Sequence, residues 1–350
     1  MKLSLHECTL AYLESWLSSH DFSPKQAPLL SQMIFRDQVL SEHPNLSSKL
    51  LIKLQEEFDL TLPVISTVHE SSDGTYKFMI RFQDQLEVES VLIPFHHRYT
   101  ICLSTQVGCA MNCQFCYTGL QGLKRHLSAA EIVGEYLVVS KWWKAKNTEG
   151  LMPNIVFMGQ GEPLHNADEV KKAIEVFINP HGINLGPRQM TLSTAGYLPG
   201  IKKLIDFAPI NIALSLHSPF EEQRTELIPI NKHFPLSDIL PALMKLPKKK
   251  RQFLTLEYLL IKDFNMSDLH VERLSELFSG EGVIFNLIPF NPFPEARFER
   301  PDPVEIDLFK EKLVSKNLRV MVRTTKGDDI LAACGQLHLE KLRRTKNVNR

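Results

Sequence analysis

Between about residue 99 and residue 322, short apolar runs alternate with helix-like segments, and few architectures accommodate that rhythm. The runs cover residues 99–104, 154–158, 189–193, 211–216, 254–260, 283–288 and 318–322. Ser128 with Glu131 three residues on forms a capping-box signature, so a helix opens there. Further helices are expected near Asn166, Pro199, Ser237, Ser267 and Pro303. Strands separated by helices imply a parallel sheet with crossover connections, in either an open doubly wound sheet or a full or partial barrel. In both, chemistry gathers at the C-terminal ends of the strands.

The chain before this region reads differently. Leu10, Leu13, Trp16 and Leu17 recur at helical spacing, as do Leu50, Leu51 and Leu54. Residues 1–65 are therefore expected to form a small helical domain. Residues 66–98 read as a β-rich extension with a turn at Ser72, Asp73 and Gly74, residues 99–330 as the barrel, and residues 331–350 as a C-terminal segment. Lys+Arg and Asp+Glu are both 40, so no global field draws the protein onto nucleic acid or membrane. Local basic runs at Lys248, Lys249, Lys250 and Arg251, and at Lys341, Arg343, Arg344, Lys346 and Arg350, permit a phosphate-backbone partner. No apolar run reaches the ~18 residues of a membrane span, and MKLSLHECTL is no signal segment. A cytoplasmic protein is expected, with cysteines for metal or catalysis and not for structural disulfides.

Three of the 6 cysteines, Cys109, Cys113 and Cys116, stand in a Cys-x3-Cys-x2-Cys run. Three thiolates at that spacing can hold three irons of a [4Fe-4S] cluster and leave the fourth open to a small molecule. With Cys102 close by, four cysteines could instead bind zinc, although zinc sites usually pair their thiolates in short Cys-x2-Cys-like turns. Free thiols are the third reading. The run resembles that of the radical S-adenosylmethionine (radical-SAM) enzymes, in which the open iron takes the cofactor's amine and carboxylate. An aromatic residue before the third cysteine, here Phe115, is typical of them.

Polar residues recur where the apolar runs end. Gly159-Gln160-Gly161-Glu162 follows the second run; Ser193 and Thr194 end the third; Ser215 and His217 end the fourth. Glu257 lies within the fifth, where a charge wants a partner, and Asn286 and Asn291 end the sixth. Each alone reads equally as a cap or a satisfied core group. Together they outline a polar mouth beside the cysteine loop.

From Glu89 to Lys346 the chain resembles the RlmN/Cfr family of radical-SAM RNA methyltransferases. The stretches ESVLIP, CLSTQVGCAMNCQFCYTG, GEPL, TLSTAG, SLHSP, PIN, NLIPFNPF and GDDILAACGQL carry the resemblance, in matching order and spacing. It implies an α/β fold: a partial (β/α)6 TIM-like barrel with a small helical, RNA-binding-like N-terminal domain and a β extension. It implies a [4Fe-4S] cluster on Cys109, Cys113 and Cys116. It implies S-adenosylmethionine contacts at Gly161, Glu162, Ser193, Ser215, Leu216, His217 and Asn291. Cys334 would be the methyl-carrying cysteine, Cys102 its resolving partner and Glu89 the proton acceptor.

The implied chemistry uses two molecules of S-adenosylmethionine per turnover. The Cys334 thiolate takes a methyl group by displacement. A 5′-deoxyadenosyl radical from the second cofactor then activates that methyl, which adds to an adenine ring. Cys102 attacks the Cys334 sulfur to release the product and leave a disulfide. The family's targets are an adenine of 23S rRNA at the peptidyl-transferase centre and, for many members, the tRNA adenine beside the anticodon. The electrons come from a donor such as flavodoxin or ferredoxin. ESVLIP and KGDD resemble the branch that methylates carbon 2, whereas SLHSP is similar to the carbon-8 branch. Gln160 replaces the methionine usual in GMGEP, Tyr117 stands where serine or alanine is usual, and the first 65 residues match poorly. A radical-SAM enzyme with a non-RNA substrate, or a zinc-stapled RNA-binding protein, are the competing readings.

Overall fold

The alternation resolves into six strand–helix units and a closing strand. The computed structural model describes residues 2–37, 40, 43–95, 98–146, 153–247, 254–294 and 296–337. Both basic runs singled out above lie outside these residues. One sheet contains β1 (Val64–Glu70), β2 (Tyr76–Arg81), β3 (Glu87–Phe95), β4 (Arg98–Cys102), β5 (Asn154–Phe157), β6 (Met190–Thr194), β7 (Asn211–Ser215), β8 (Leu254–Leu260), β9 (Val283–Pro289) and β10 (Val320–Val322). Their spatial order is their chain order. Strands β1 to β4 pair antiparallel. From β4 to β10 every pairing is parallel. With β1 and β10 at its edges the sheet is open, a partial barrel extended by a hairpin and one further strand.

Three helices precede the sheet, α1 (Leu10–Ser19), α2 (Ala27–Gln32) and α3 (Ser48–Glu57). Each parallel strand needs a crossover, and these are supplied by α4 (Ala129–Lys146), α5 (Ala167–Ile178), α6 (Leu198–Lys203), α7 (Glu221–Leu227), α8 (Leu236–Met244), α9 (Asp268–Phe278) and α10 (Pro303–Ser315). The expected capping box forms: the Glu131 N–H donates to Ser128 Oγ at 3.2 Å and the Ser128 N–H to Glu131 Oε2 at 2.9 Å. Helix α7 was not anticipated, because its buried residues are Arg224 and Leu227 and no apolar stripe marks it.

The N-terminal helices share the main core with the barrel, since Leu13, Leu17, Leu30 and Leu54 belong to the same buried cluster as Leu137, Phe157 and Phe177. Polar ties fix the same contact. Arg36 Nη2 donates to Pro180 O at 2.6 Å, and Asn179 Nδ2 donates to Ser31 Oγ at 3.1 Å. Trp142 of α4 meets Phe78 at 4.9 Å and Tyr76 at 4.9 Å, packing α4 onto the antiparallel extension. No described helix is long and apolar enough to cross a membrane.

Candidate active site

The cysteine loop is built by glycines and a short ribbon. Residues Gln106–Gly108 pair antiparallel with Leu123–His126 and pinch the loop at its base. Gly108 has φ +76°, and a Cβ there would stand 1.9 Å from Gly122 O, so both backbone conformation and space demand glycine. A Cβ on Gly119 would lie 2.9 Å from Cys113 O. The Gln114 N–H donates to Leu227 O at 2.9 Å and the Tyr117 N–H to Gly335 O at 2.6 Å, which ties the loop to α7 and to the C-terminal segment. Cys109, Cys113, Cys116 and Phe115 then line one cavity with Glu162, Ser193, Ser215, His217, Glu257 and Cys334.

Burial pushes all three loop thiols up, Cys109 to about 12. Their mutual repulsion adds to the shift at Cys109 and Cys113. Three thiolates are stable together only against a strongly cationic centre, and a soft donor set of three sulfurs fits an iron–sulfur cluster. Cys102 packs in a separate cluster with Val91, Ala332 and Leu337, so it does not stand as a fourth ligand beside the three loop thiols.

Glu162 faces the loop from the end of β5. Its carboxylate accepts the Ala195 N–H at 2.7 Å and the Leu164 N–H at 3.1 Å. Burial outweighs those bonds and raises its pKa to about 7. Gln106, unremarked in the sequence, holds this turn: its Oε1 accepts the Glu162 N–H at 2.8 Å, and Gly161 (φ +104°) sits where a Cβ would be 2.6 Å from Gln106 Cβ.

His217 lines the opposite wall at a left-handed φ of 57°. The Leu259 N–H donates to its Nδ1 at 3.0 Å, and Phe115 meets the ring edge-on at 4.6 Å. Burial, aided by Arg224, lowers its pKa to about 3, so the ring is neutral near pH 7 with its proton on Nε2. Arg224, also missed, is completely buried. Its guanidinium donates to Ala195 O at 2.7 Å, Ser215 O at 2.9 Å, Leu216 O at 3.2 Å and Asn231 Oδ1. One cation thus locks the ends of β6 and β7. Burial lowers its pKa to about 10, which leaves it charged. No periodicity distinguishes this arginine from a solvated one on a polar helix.

Cys334 comes back to the cavity from far along the chain. Arg323, at the end of β10, has its pKa raised first by Cys334 and also by Glu257 and Cys102. Cys334 in turn pushes Cys102 up, after burial. Cys102 packs in one cluster with Ala332 and Leu337, so the segment that carries Cys334 lies against the strand that carries Cys102. Glu257 finds the partner its strand position demanded, as Asn286 Nδ2 donates to its Oε2 at 2.7 Å.

Other expected residues lie off the cavity wall. Leu216 is fully buried in the main core and its carbonyl is taken by Arg224, so its side chain brings no polar group to the site. Asn291 Nδ2 donates to Cys334 O at 3.2 Å and acts on the C-terminal segment. Glu89 is sealed beneath that segment and paired at 3.1 Å with Lys77. Gln160 is buried behind the wall: its N–H donates to Ser104 Oγ at 2.9 Å, while its side-chain amide makes no hydrogen bond among the described residues. Tyr117 stacks on Phe293 at 4.8 Å. Both residues that depart from the family pattern are buried.

An open six-unit barrel with a three-cysteine loop at the end of its first parallel strand defines a radical-SAM enzyme. A family model described as the Radical SAM superfamily matches residues 103–274. The chain is 39% identical over 338 residues to the dual-specificity RNA methyltransferase RlmN of Syntrophus aciditrophicus (strain SB), covering 96% of each chain. It superposes with a TM-score of 0.88 on the crystal structure of a radical SAM methyltransferase from Sphaerobacter thermophilus, at 33% identity and covering 96% of this chain and 99% of that one. The chain belongs to the RlmN/Cfr family of radical-SAM RNA methyltransferases.

Proposed function

We propose that this enzyme methylates carbon 2 of adenine in 23S rRNA and in tRNA beside the anticodon, by way of a methylated Cys334 and with two molecules of S-adenosylmethionine per turnover. The observation that carries the reading is that Cys334 lines the cavity of the three-cysteine loop while its own segment, through Ala332 and Leu337, packs with Cys102. A radical-SAM enzyme acting by direct hydrogen abstraction has no use for that pair. The similarity to an enzyme named for dual specificity supports two RNA targets.

Cys109, Cys113 and Cys116 would hold the cluster, and Glu162, Ser193, Ser215 and His217 would line the bed of the S-adenosylmethionine beside it. Bound together, the reduced cluster and S-adenosylmethionine supply a carbon radical able to take hydrogen from an S-methyl group. The protein's own part is covalent. The sulfur of Cys334 displaces a methyl group from a sulfonium: a protein S–CH3 bond forms, the sulfonium C–S bond breaks, and the thiol proton passes to solvent. At the end, once the ring adduct has lost a proton and returned one electron to the centre that supplied it, the Cys102 thiolate attacks the Cys334 sulfur: an S–S bond forms, the S–C bond to the product breaks, and that carbon keeps the electron pair and takes a proton to become the methyl group. Arg323 lines the cavity beside Cys334 and offers a positive charge there. Glu89 would take the proton lost from the adenine ring, and a flavodoxin or ferredoxin would supply electrons.

The test is nucleoside mass spectrometry of 23S rRNA and tRNA, taken from cells lacking the enzyme and treated with the reduced, cluster-loaded protein. 2-Methyladenosine in both RNAs is expected. 8-Methyladenosine would overturn the carbon-2 assignment, and no methylated adenosine in either would overturn the RNA reading.

A further inference from the structure

The turn between β1 and β2 reaches across to the segment that carries Cys334. Ser71 Oγ donates to Asp329 Oδ1 at 2.6 Å, and the Ser72 N–H donates to Asp329 Oδ2 at 3.0 Å. The grip is reciprocal: the Gly327 N–H donates to Asp73 Oδ2 at 3.0 Å, while Asp73 Oδ1 is oriented by the Thr75 N–H at 2.9 Å. On β2, Lys77 Nζ lies 3.4 Å from Leu331 O as well as 3.1 Å from Glu89. Gly327, at φ +66°, is pressed so closely that a Cβ would stand 2.8 Å from Ala332 Cβ and 3.0 Å from Thr75 Cγ2. Asp329 itself is exposed, whereas Ser71 is buried.

We propose that the Ser71–Thr75 turn is a clasp on the Cys334 segment, and that Asp329 is the positioning residue through which it acts. The inference rests on Cys334 being the methyl carrier. Its sulfur has two appointments, with a methyl group in the cavity and with Cys102 on β4, and a displacement of ~1 Å would spoil both. A carboxylate that takes two charge-assisted bonds from a different part of the chain supplies the needed fixity at a place where the local backbone is two left-handed residues, Gly327 and Leu331. The clasp also gives the antiparallel extension a purpose beyond widening the sheet.

The test compares wild type, Asp329→Asn and Asp329→Ala as full chains with the cluster loaded anaerobically. Two quantities are read by peptide mass spectrometry: the rate at which iodoacetamide alkylates Cys334 without cofactor, and the methyl carried on Cys334 after S-adenosylmethionine is added. Asp329→Ala is expected to speed alkylation about tenfold and to cut methylation by a similar factor, with iron content unchanged and Asp329→Asn, which keeps one of the two bonds, between them. A merely structural role would lower iron and melting temperature together and would not grade in this way. Alkylation and methylation both unchanged in Asp329→Ala would overturn the clasp, as would faster alkylation with methylation intact. Should Asp329→Ala lose its iron, Ser71→Ala removes one bond from the other side and reads the same two quantities. Wild type that carries no methyl would instead defeat the methyl-carrier reading, and the alkylation rates would still decide whether the clasp exists.

Discussion

Glu135 of α4 is a fully buried carboxyl with no part in the chemistry. One of its oxygens takes both the Ser90 hydroxyl at 2.5 Å and the Ser104 N–H at 3.0 Å, and Ser104 Oγ in turn donates to Glu89 O at 2.9 Å. Burial raises its pKa to about 8, against ~4.3 in an unfolded chain. The folded state therefore holds the extra proton, and stability falls as pH rises from about 4.5 through 8. Glu135→Gln keeps an oxygen for both donors and has no charge to bury. Its denaturation midpoint should fall less steeply over that range than that of the wild type, with a gain on the order of 3 kcal/mol at pH 7, and a variant as pH-dependent as wild type would contradict this. Glu162 obeys the same physics for a different end. With a pKa near 7 it is mostly ionised only above neutrality, and only in that form could it pair with the ammonium of the cofactor proposed to lie beside it. Affinity of the cluster-loaded protein for S-adenosylmethionine should drop about tenfold from pH 8 to pH 6, and Glu162→Gln should abolish that slope.

At the scale of elements, the loop depends on positions where no side chain fits. Gly108→Ala would force a Cβ against Gly122 O in a left-handed conformation, so iron retained per protein should fall severalfold while α/β circular dichroism persists. Full iron occupancy would show that the ribbon does not hold the loop. The strands and most helices were legible in the sequence because apolar periodicity marks any element with an apolar face. The cysteine loop was legible because its spacing is rare. What escaped reading shares a cause. Arg224, Gln106, Lys77 and Arg323 act through main-chain carbonyls, amides or distant cysteines, and nothing local distinguishes them from solvated residues. The Asp329 grip joins parts of the chain that only the fold brings together, so KGDD could be matched to a family but not explained.

For the whole molecule, the shared core between the N-terminal helices and the barrel means that residues 10–57 and the barrel should unfold together. Urea unfolding followed by Trp16 fluorescence in a Trp142→Phe/Trp143→Phe background and by far-ultraviolet circular dichroism should give coincident transitions. Separated midpoints would show two independent units. The same closeness would serve the proposed chemistry, since the sheet carries Cys102, the loop carries the three cysteines proposed to hold the cluster, and the hairpin contacts the returning segment. Everything then converges on one sulfur. The most direct measurement is mass spectrometry of the Cys334 peptide from anaerobically purified, cluster-loaded protein incubated with methyl-labelled S-adenosylmethionine. The account predicts labelled methyl on Cys334 and none on Cys102. An unmodified Cys334 in protein with a full complement of iron would contradict it.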